Sequence, residues 1–208
     1  MLEPAADGYV GDVAALSREE FDAIEFDAAI SGDHLAAAQR MTVLAQNGTG
    51  TDSMPKAEAY VRAGEQWLLA DNPDAAANAF RMAMADGGPV DVVPRALLCR
   101  ALFQMGRGDE ARAIIDEVKA RGRSDPRACE VITELLVEQS DLDGALDWAT
   151  AGVELILQGG GSRSGGAAGG SNGHDESYAG LNELLRLRYR IRNDLRLPED
   201  EYDRMLTA

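Results

Sequence analysis

The sequence is poor in several residue types, and each shortage excludes a kind of site. Aromatic residues make up 5% of the 208 residues, and there are only two cysteines and two histidines. Two cysteines cannot form a disulfide framework or a four-cysteine metal site, so Cys99 and Cys129 are expected to be reduced, buried thiols. Paired histidine, nucleophile-elbow and dinucleotide-binding motifs are absent as well. The sequence therefore predicts no cofactor, no metal site and no catalytic residue.

Lysine and long apolar runs are also scarce. Lys56 and Lys119 are the only lysines among 20 basic residues, a bias that indicates a GC-rich bacterial genome. No apolar run approaches the roughly 20 residues that span a bilayer. The first residues, MLEPAADGYVGD, lack the basic and apolar regions of a signal peptide. We therefore expect a cytoplasmic protein.

The chain has a large excess of negative charge. Thirty-six acidic residues against 20 basic ones give a net charge of −16. Such a surface repels phosphates, which argues against binding to nucleic acid or to an anionic membrane. A protein or peptide partner of basic character is favoured instead.

A helix–turn–helix pattern repeats along the middle of the chain. Apolar residues make up 45% of the sequence, and Ala, the strongest helix former, is abundant among them, which favours an all-α fold. A small residue recurs at Ala37, Ala76, Ala111 and Ala145, with spacings of 39, 35 and 34 residues. Turn sequences precede these alanines: SGDH, DNPD, GRGDE and SDLD. Asp and Ser in such turns accept from free backbone N–H groups and so start the next helix. The pattern predicts about four pairs of antiparallel helices over residues 17–157.

This pattern resembles the tetratricopeptide repeat (TPR) family over roughly residues 18–157. The resemblance rests on small and large residues that alternate at fixed positions. They are Ala28, Gly32 and Ala37; Gly64, Trp67, Ala76, Phe80 and Ala83; Leu98, Cys99, Leu102, Gly106, Ala111 and Ile115; and Leu136, Ala145, Ala149 and Gly152. Two positions depart from the family pattern: Glu25 replaces the expected small residue, and Val118 stands where the family prefers Ala. It implies that the helix pairs stack as a right-handed solenoid whose first helices line a concave groove. Ordinary α-hairpins in a globular bundle are the alternative.

Two further segments flank this region. Residues 1–16 are expected to be a flexible N-terminus, and residues 158–176, nearly all Gly, Ser and Ala, a flexible linker. The linker has no lysine after its glycines and so is not a phosphate-binding loop. His174, Asp175 and Glu176 at its end supply too few ligands for a metal.

Residues 177–208 are predicted to form a C-terminal helix and a short tail. Leu181, Leu184, Leu187, Ile191 and Leu195 recur at helical spacing, although residues 185–192 also alternate as a strand would. The helix is expected to cover the last apolar face of the array. Its arginines, Arg186, Arg188, Arg190, Arg192 and Arg196, are interpreted as a solvated face that pairs with the acidic repeats, or alternatively as an anion-binding patch.

The last part of the chain is also similar to uncharacterised actinobacterial TPR-like proteins. Some of these carry a SEC-C motif, a zinc-binding cluster of cysteines. The cysteines of that motif are absent here, so a zinc function cannot be transferred.

The repeat register suggests which side chains face the groove. These are Asp22, Glu58, Val61, Glu65, Leu68, Arg100, Phe103, Glu130, Glu134, Val137 and Glu138. The acidic members are expected to orient a basic segment and the apolar members to anchor it. The sequence thus predicts a non-enzymatic scaffold that binds a basic, partly apolar peptide or protein. A sensor of a small ligand in the same groove, and an enzyme with an unrecognised carboxylate site, are the alternatives.

Overall fold

The regular secondary structure is helical wherever the structure describes it. The computed structural model describes residues 14–88, 94–161 and 172–206, with backbone alone at 160–161 and 172–179. The helices are α1 (Arg18–Ser31), α2 (His34–Asn47), α3 (Lys56–Leu69), α4 (Pro73–Asp86), α5 (Pro94–Gln104), α6 (Gly108–Ala120), α7 (Pro126–Glu138), α8 (Leu142–Gly161), α9 (Asn172–Asp194) and α10 (Glu201–Met205). One isolated bridge joins Ala15 to Thr49. The predicted all-α class and helix-pair pattern are confirmed.

The helices belong to two compact units, Met1–Pro94 and Arg95–Ala208. In the first unit, α2 packs against α1 and α3, and α3 packs against α4. In the second, α7 packs against α8, while α9 packs against α7, α8 and α10. Because the turns within the pairs are short, the two helices of a pair run antiparallel. No helix in the described ranges combines the length and apolar character needed to cross a membrane.

A left-handed backbone residue ends the first helix of each pair. The residues are Gly32, Asp71, Gly106 and Ser140, with φ of 76°, 55°, 72° and 60°. Each stands five positions before the repeated alanine, so the turn follows the same register as the packing. In the last three turns the next N–H donates back across the helix end, as from Asn72 to the Trp67 carbonyl at 2.9 Å. Such a bond satisfies a carbonyl that the helix leaves free.

Small residues allow the paired helices to approach closely. Ala37 is 5% exposed, and Ala76, Ala111 and Ala145 are fully buried, as the repeat register predicts. A β-carbon added at Gly64 of α3 would lie 2.4 Å from the Phe80 ring of α4. The ring therefore occupies the space that a side chain at Gly64 would need. Large and small residues must alternate for helices to pack at this distance.

Both cysteines lie in this core. Cys99 and Cys129 are free and buried, as predicted. Burial raises the pKa of Cys99 to about 12 and that of Cys129 to about 11. Cys99 also donates to the Ala111 carbonyl of α6 at 3.5 Å, which places α5 directly against α6. The thiols are therefore protonated packing groups at neutral pH.

The C-terminal helices extend into the predicted linker. Helix α8 continues to Gly161 and α9 begins at Asn172, while residues 162–171 lie outside the described residues. Leu184 and Leu185 of α9 pack with Val153 of α8 in an apolar cluster, against which Ile156 and Leu181 also lie. The segment 185–192, which alternates as a strand would, is helical.

We expect opposite effects from two substitutions at the left-handed turn position. Gly106→Ala should lower the free energy of unfolding by roughly 1 kcal/mol, because a β-carbon makes this backbone conformation unfavourable. No atom lies within 4 Å of that β-carbon, so steric overlap does not contribute. Ser140→Gly should instead stabilise by roughly 0.5 kcal/mol. Urea denaturation measures both changes, and a loss of stability in Ser140→Gly would contradict the shared turn.

The close approach at Gly64 gives a second prediction. Gly64→Ala should destabilise by about 1–3 kcal/mol, because the Phe80 ring must move to admit a methyl group. Gly159→Ala in α8 is the matched control, since nothing lies within 4 Å of its added β-carbon. The control should gain up to about 1 kcal/mol from helix propensity. Thermal denaturation that ranked the two variants in the opposite order would rule out the close contact.

Candidate partner-binding surface

In the first unit, the predicted groove residues of α3 are largely covered. Val61 is 3% exposed and Glu58 is 7% exposed, whereas Glu65 and Leu68 are half-buried. The structure therefore corrects two expectations: it does not present Val61 as an apolar anchor or Glu58 as an open carboxylate. The repeat register predicts that α3 carries these residues. It does not show how closely α1 approaches α3.

Ion pairs connect α1 and α3 and account for the low exposure of Glu58. Arg18 of α1 contacts Glu58 at 2.8 Å, and Arg62 of α3 contacts Asp22 and Glu25 of α1 at 2.6 Å each. Although burial opposes the charged form, hydrogen bonds to Glu25 and Asp22 raise the pKa of Arg62 above its ordinary value. These carboxylates stabilise the contact between neighbouring first helices and already have cationic partners.

The second unit leaves more of its predicted residues accessible. Glu134 of α7 is 39% exposed and pairs with Arg100 of α5 at 2.7 Å. Val137 and Phe103 are half-buried, and Glu138 is exposed. The Phe103 ring lies under the guanidinium of Arg112, 5.7 Å from the ring centroid. The face of α5 and α7 therefore combines open carboxylates with partly exposed apolar groups.

Carboxylates outnumber cations around Glu130 of α7. Burial raises the pKa of Glu130, and the neighbouring Glu134 and Glu183 raise it further. Arg127 opposes this effect through a contact of 3.3 Å, but its side chain is 55% exposed. A raised carboxylate pKa indicates that the ionised form is poorly compensated. This part of the surface would be stabilised by an added positive charge.

The arginines in and just after α9 differ in burial and in their partners. Arg188 is buried with 5% of its side chain exposed, and it pairs with Asp200 and Asp203 near α10. Its Nε donates to Thr150 of α8 at 3.0 Å, and Arg192 also contacts both aspartates. The expectation that these two arginines are solvated and pair with the repeat carboxylates is therefore wrong. Their counter-ions lie just after the helix, where the sequence PEDEYD offers several carboxylates without indicating which are used. Arg186, Arg190 and Arg196 are exposed.

One family model matches part of the chain. Residues 68–135 match the family model of the tetratricopeptide repeat, from the end of α3 through α4, α5 and α6 into α7. No curated protein and no solved structure matches the chain.

The pair between Arg188 and Asp200 makes the contact of α9 with α10 dependent on pH. Hydrogen bonds from Arg188 lower the pKa of Asp200 to about 2, against about 3.9 in an unfolded chain. The ionised form therefore stabilises the fold above about pH 4, and this contribution is lost as the pH falls towards 2. The protection factors of the α10 amides, which compare exchange with the intrinsic rate at each pH, should decrease over this range.

Asp200→Asn is the control for this titration. It should remove most of the dependence between pH 4 and 2 and weaken the protection of α10 at neutral pH. Unchanged protection in this variant would show that Asp203 alone holds Arg188.

Proposed function

We propose that this chain, which carries tetratricopeptide repeats over residues 68–135, binds a basic, partly apolar segment of a protein partner. Such repeats generally mediate interactions between proteins, through surfaces formed by successive helices. The proposed site is the face of α5 and α7 in the second unit. We call it the α7 acidic surface, and it consists of Arg100, Phe103, Glu130, Glu134, Val137 and Glu138.

The local excess of carboxylates is the observation that carries this proposal. Glu130, Glu134 and Glu138 follow one another at four-residue intervals, so they lie along one side of α7. Arg100 and Arg127 compensate them only in part, and the pKa of Glu130 is raised. A lysine or arginine of a partner would supply the missing charge. Charge complementarity of this kind acts mainly on association rate and specificity.

Apolar side chains beside these carboxylates favour a partner that is not only basic. Phe103 and Val137 are half-buried, so each offers part of its surface without further rearrangement. Partly exposed aromatic groups in the middle of a surface usually contribute most of the binding energy. We therefore assign anchoring to these two side chains and orientation to the glutamates.

We leave the first unit, with its half-buried Glu65 and Leu68, out of the proposed surface. Its Glu58 and Val61 are buried, and its Asp22 is already bound to Arg62. We therefore confine the proposed binding site to the second unit. A cytoplasmic site of action remains a prediction from the sequence.

Charge reversal on α7 tests the proposed function. Glu134→Lys with Glu138→Lys should reduce partner capture from a lysate of the source organism by roughly tenfold or more, because a basic segment would meet like charges. Phe103→Ala should act differently and accelerate dissociation. Quantitative mass spectrometry of the captured proteins, followed by binding kinetics with the partner so identified, measures both effects.

The matched control lies on α6. Asp116→Lys with Glu117→Lys introduces the same change of charge at exposed positions, and it should leave capture unchanged. Circular dichroism must show equal helicity in all variants. If the α7 and α6 variants captured the same proteins in the same amounts, the α7 acidic surface would not be the binding site.

A further inference from the structure

Helix α1 exposes two large apolar side chains on one face. Phe26 is 67% exposed and Ile30 is 72% exposed, and the four-residue spacing places them next to each other. The exposed Ala23 continues the same face towards the start of the helix. An apolar pair at this position therefore indicates a contact surface.

Carboxylates surround this apolar pair. Glu19 lies on the same side of α1, and Asp27 borders it, and both are exposed. Glu19 accepts a hydrogen bond from Ser17 and is attracted by Arg18. Neither Glu19 nor Asp27 forms an ion pair within the described residues. We call Glu19, Ala23, Phe26, Asp27 and Ile30 the α1 face. It is apolar in the centre and negative at the rim.

Helix α9 exposes a face of the opposite charge. Arg186 has 72% of its side chain exposed and only a long contact of 3.9 Å with Glu183. Arg190 is exposed, and no carboxylate of the described residues pairs with it. Tyr189, on the same side, is 41% exposed. We call these three residues, Arg186, Tyr189 and Arg190, the α9 face. It presents an aromatic ring between positive charges.

We propose that the α1 face of one molecule docks against the α9 face of a second copy of this chain. Phe26 and Ile30 would pack against Tyr189, while the carboxylates of α1 would meet Arg186 and Arg190. The charge pattern selects this pairing, because two α1 faces or two α9 faces would bring like charges together. Unlike faces that meet in this way form a head-to-tail contact, which continues into a longer chain or closes into a ring.

The net charge of −16 opposes this association at long range. At physiological ionic strength the Debye length is about 8 Å, so remote charges are largely screened while charges inside a contact still act. The contact should therefore form at about 0.15 M salt and weaken at higher salt. Sedimentation velocity of the full chain over a concentration series is the measurement. The wild-type protein should grow beyond the dimer, or form a closed ring, as its concentration rises.

Two single-face variants make the test specific. Phe26→Asp with Ile30→Asp removes the α1 face, and Arg186→Glu with Arg190→Glu removes the α9 face. All four side chains are exposed, so both variants should fold, which circular dichroism verifies. Each variant alone should remain monomeric. An equimolar mixture should form a one-to-one dimer and nothing larger, because only one pair of intact faces remains.

A charge exchange provides the rescue. Glu19→Arg and Asp27→Arg, combined in one chain with Arg186→Glu and Arg190→Glu, should restore self-association because the rim charges are then reversed on both faces. Leu69→Asp with Met82→Asp changes exposed apolar residues elsewhere and should have no effect. Arg81→Glu with Arg121→Glu, at exposed arginines outside the α9 face, is the corresponding charge control.

Three outcomes would overturn the proposal. A wild-type chain that stays monomeric at every concentration would assign the α1 face to another occupant, such as a basic segment of a different protein or residues 1–13 of this chain. A mixture of the two variants that stays monomeric would exclude the head-to-tail contact. A dimer that a single-face variant still forms by itself would indicate a symmetric interface, whereas two wild-type molecules joined by both pairs of faces are the smallest closed ring. The two faces share no residue with the α7 acidic surface, so none of these results affects the proposed function.

Discussion

The structure depends on short distances between helices that only small side chains permit. Alanine at the repeated position brings the second helix of each pair against the first, and Gly64 allows an aromatic ring to fill the remaining space. Aromatic residues make up 5% of the chain, so the core gains its contacts from close approach more than from large side chains. The left-handed turn stands at a fixed distance before this alanine, because the turn determines where the second helix begins. The turn and the close contact therefore recur together, once in each helix pair.

The charged side chains act mainly on their near neighbours, in spite of the large net charge of the chain. On α1 and α3, carboxylates and arginines pair between neighbouring helices and stabilise their contact. On α7, burial raises the pKa of Glu130, and the neighbouring carboxylates Glu134 and Glu183 raise it further. The same residue type therefore contributes to packing in one unit and is only partly compensated by cations in the other. Net charge alone cannot distinguish these two situations, because pairing depends on distances of a few ångströms.

Much of the fold could be predicted from the sequence, because helix propensity, turn chemistry and the alanine register agree. The candidate site was less predictable. A helical register assigns Val61 and Glu58 to a face but does not show whether an adjacent helix covers that face. Asp71 and Ser140 adopt the conformation that Gly adopts in the other turns, and only their position relative to the alanine could have indicated it. The partners of Arg188 lie beyond its own helix, where no periodic pattern applies.

The buried Arg188 links the order of α9 to that of α10. When α9 packs against α8, the guanidinium leaves water, and an unpaired buried cation is strongly unfavourable. Asp200 and Asp203 provide its compensation, and their positions depend on the turn at Arg196 and on the capping box that starts α10. The two helices should therefore gain and lose order together, as one cooperative segment. The short α10 would be unstable alone. Its order nevertheless makes the docking of α9, a helix more than four times as long, cooperative.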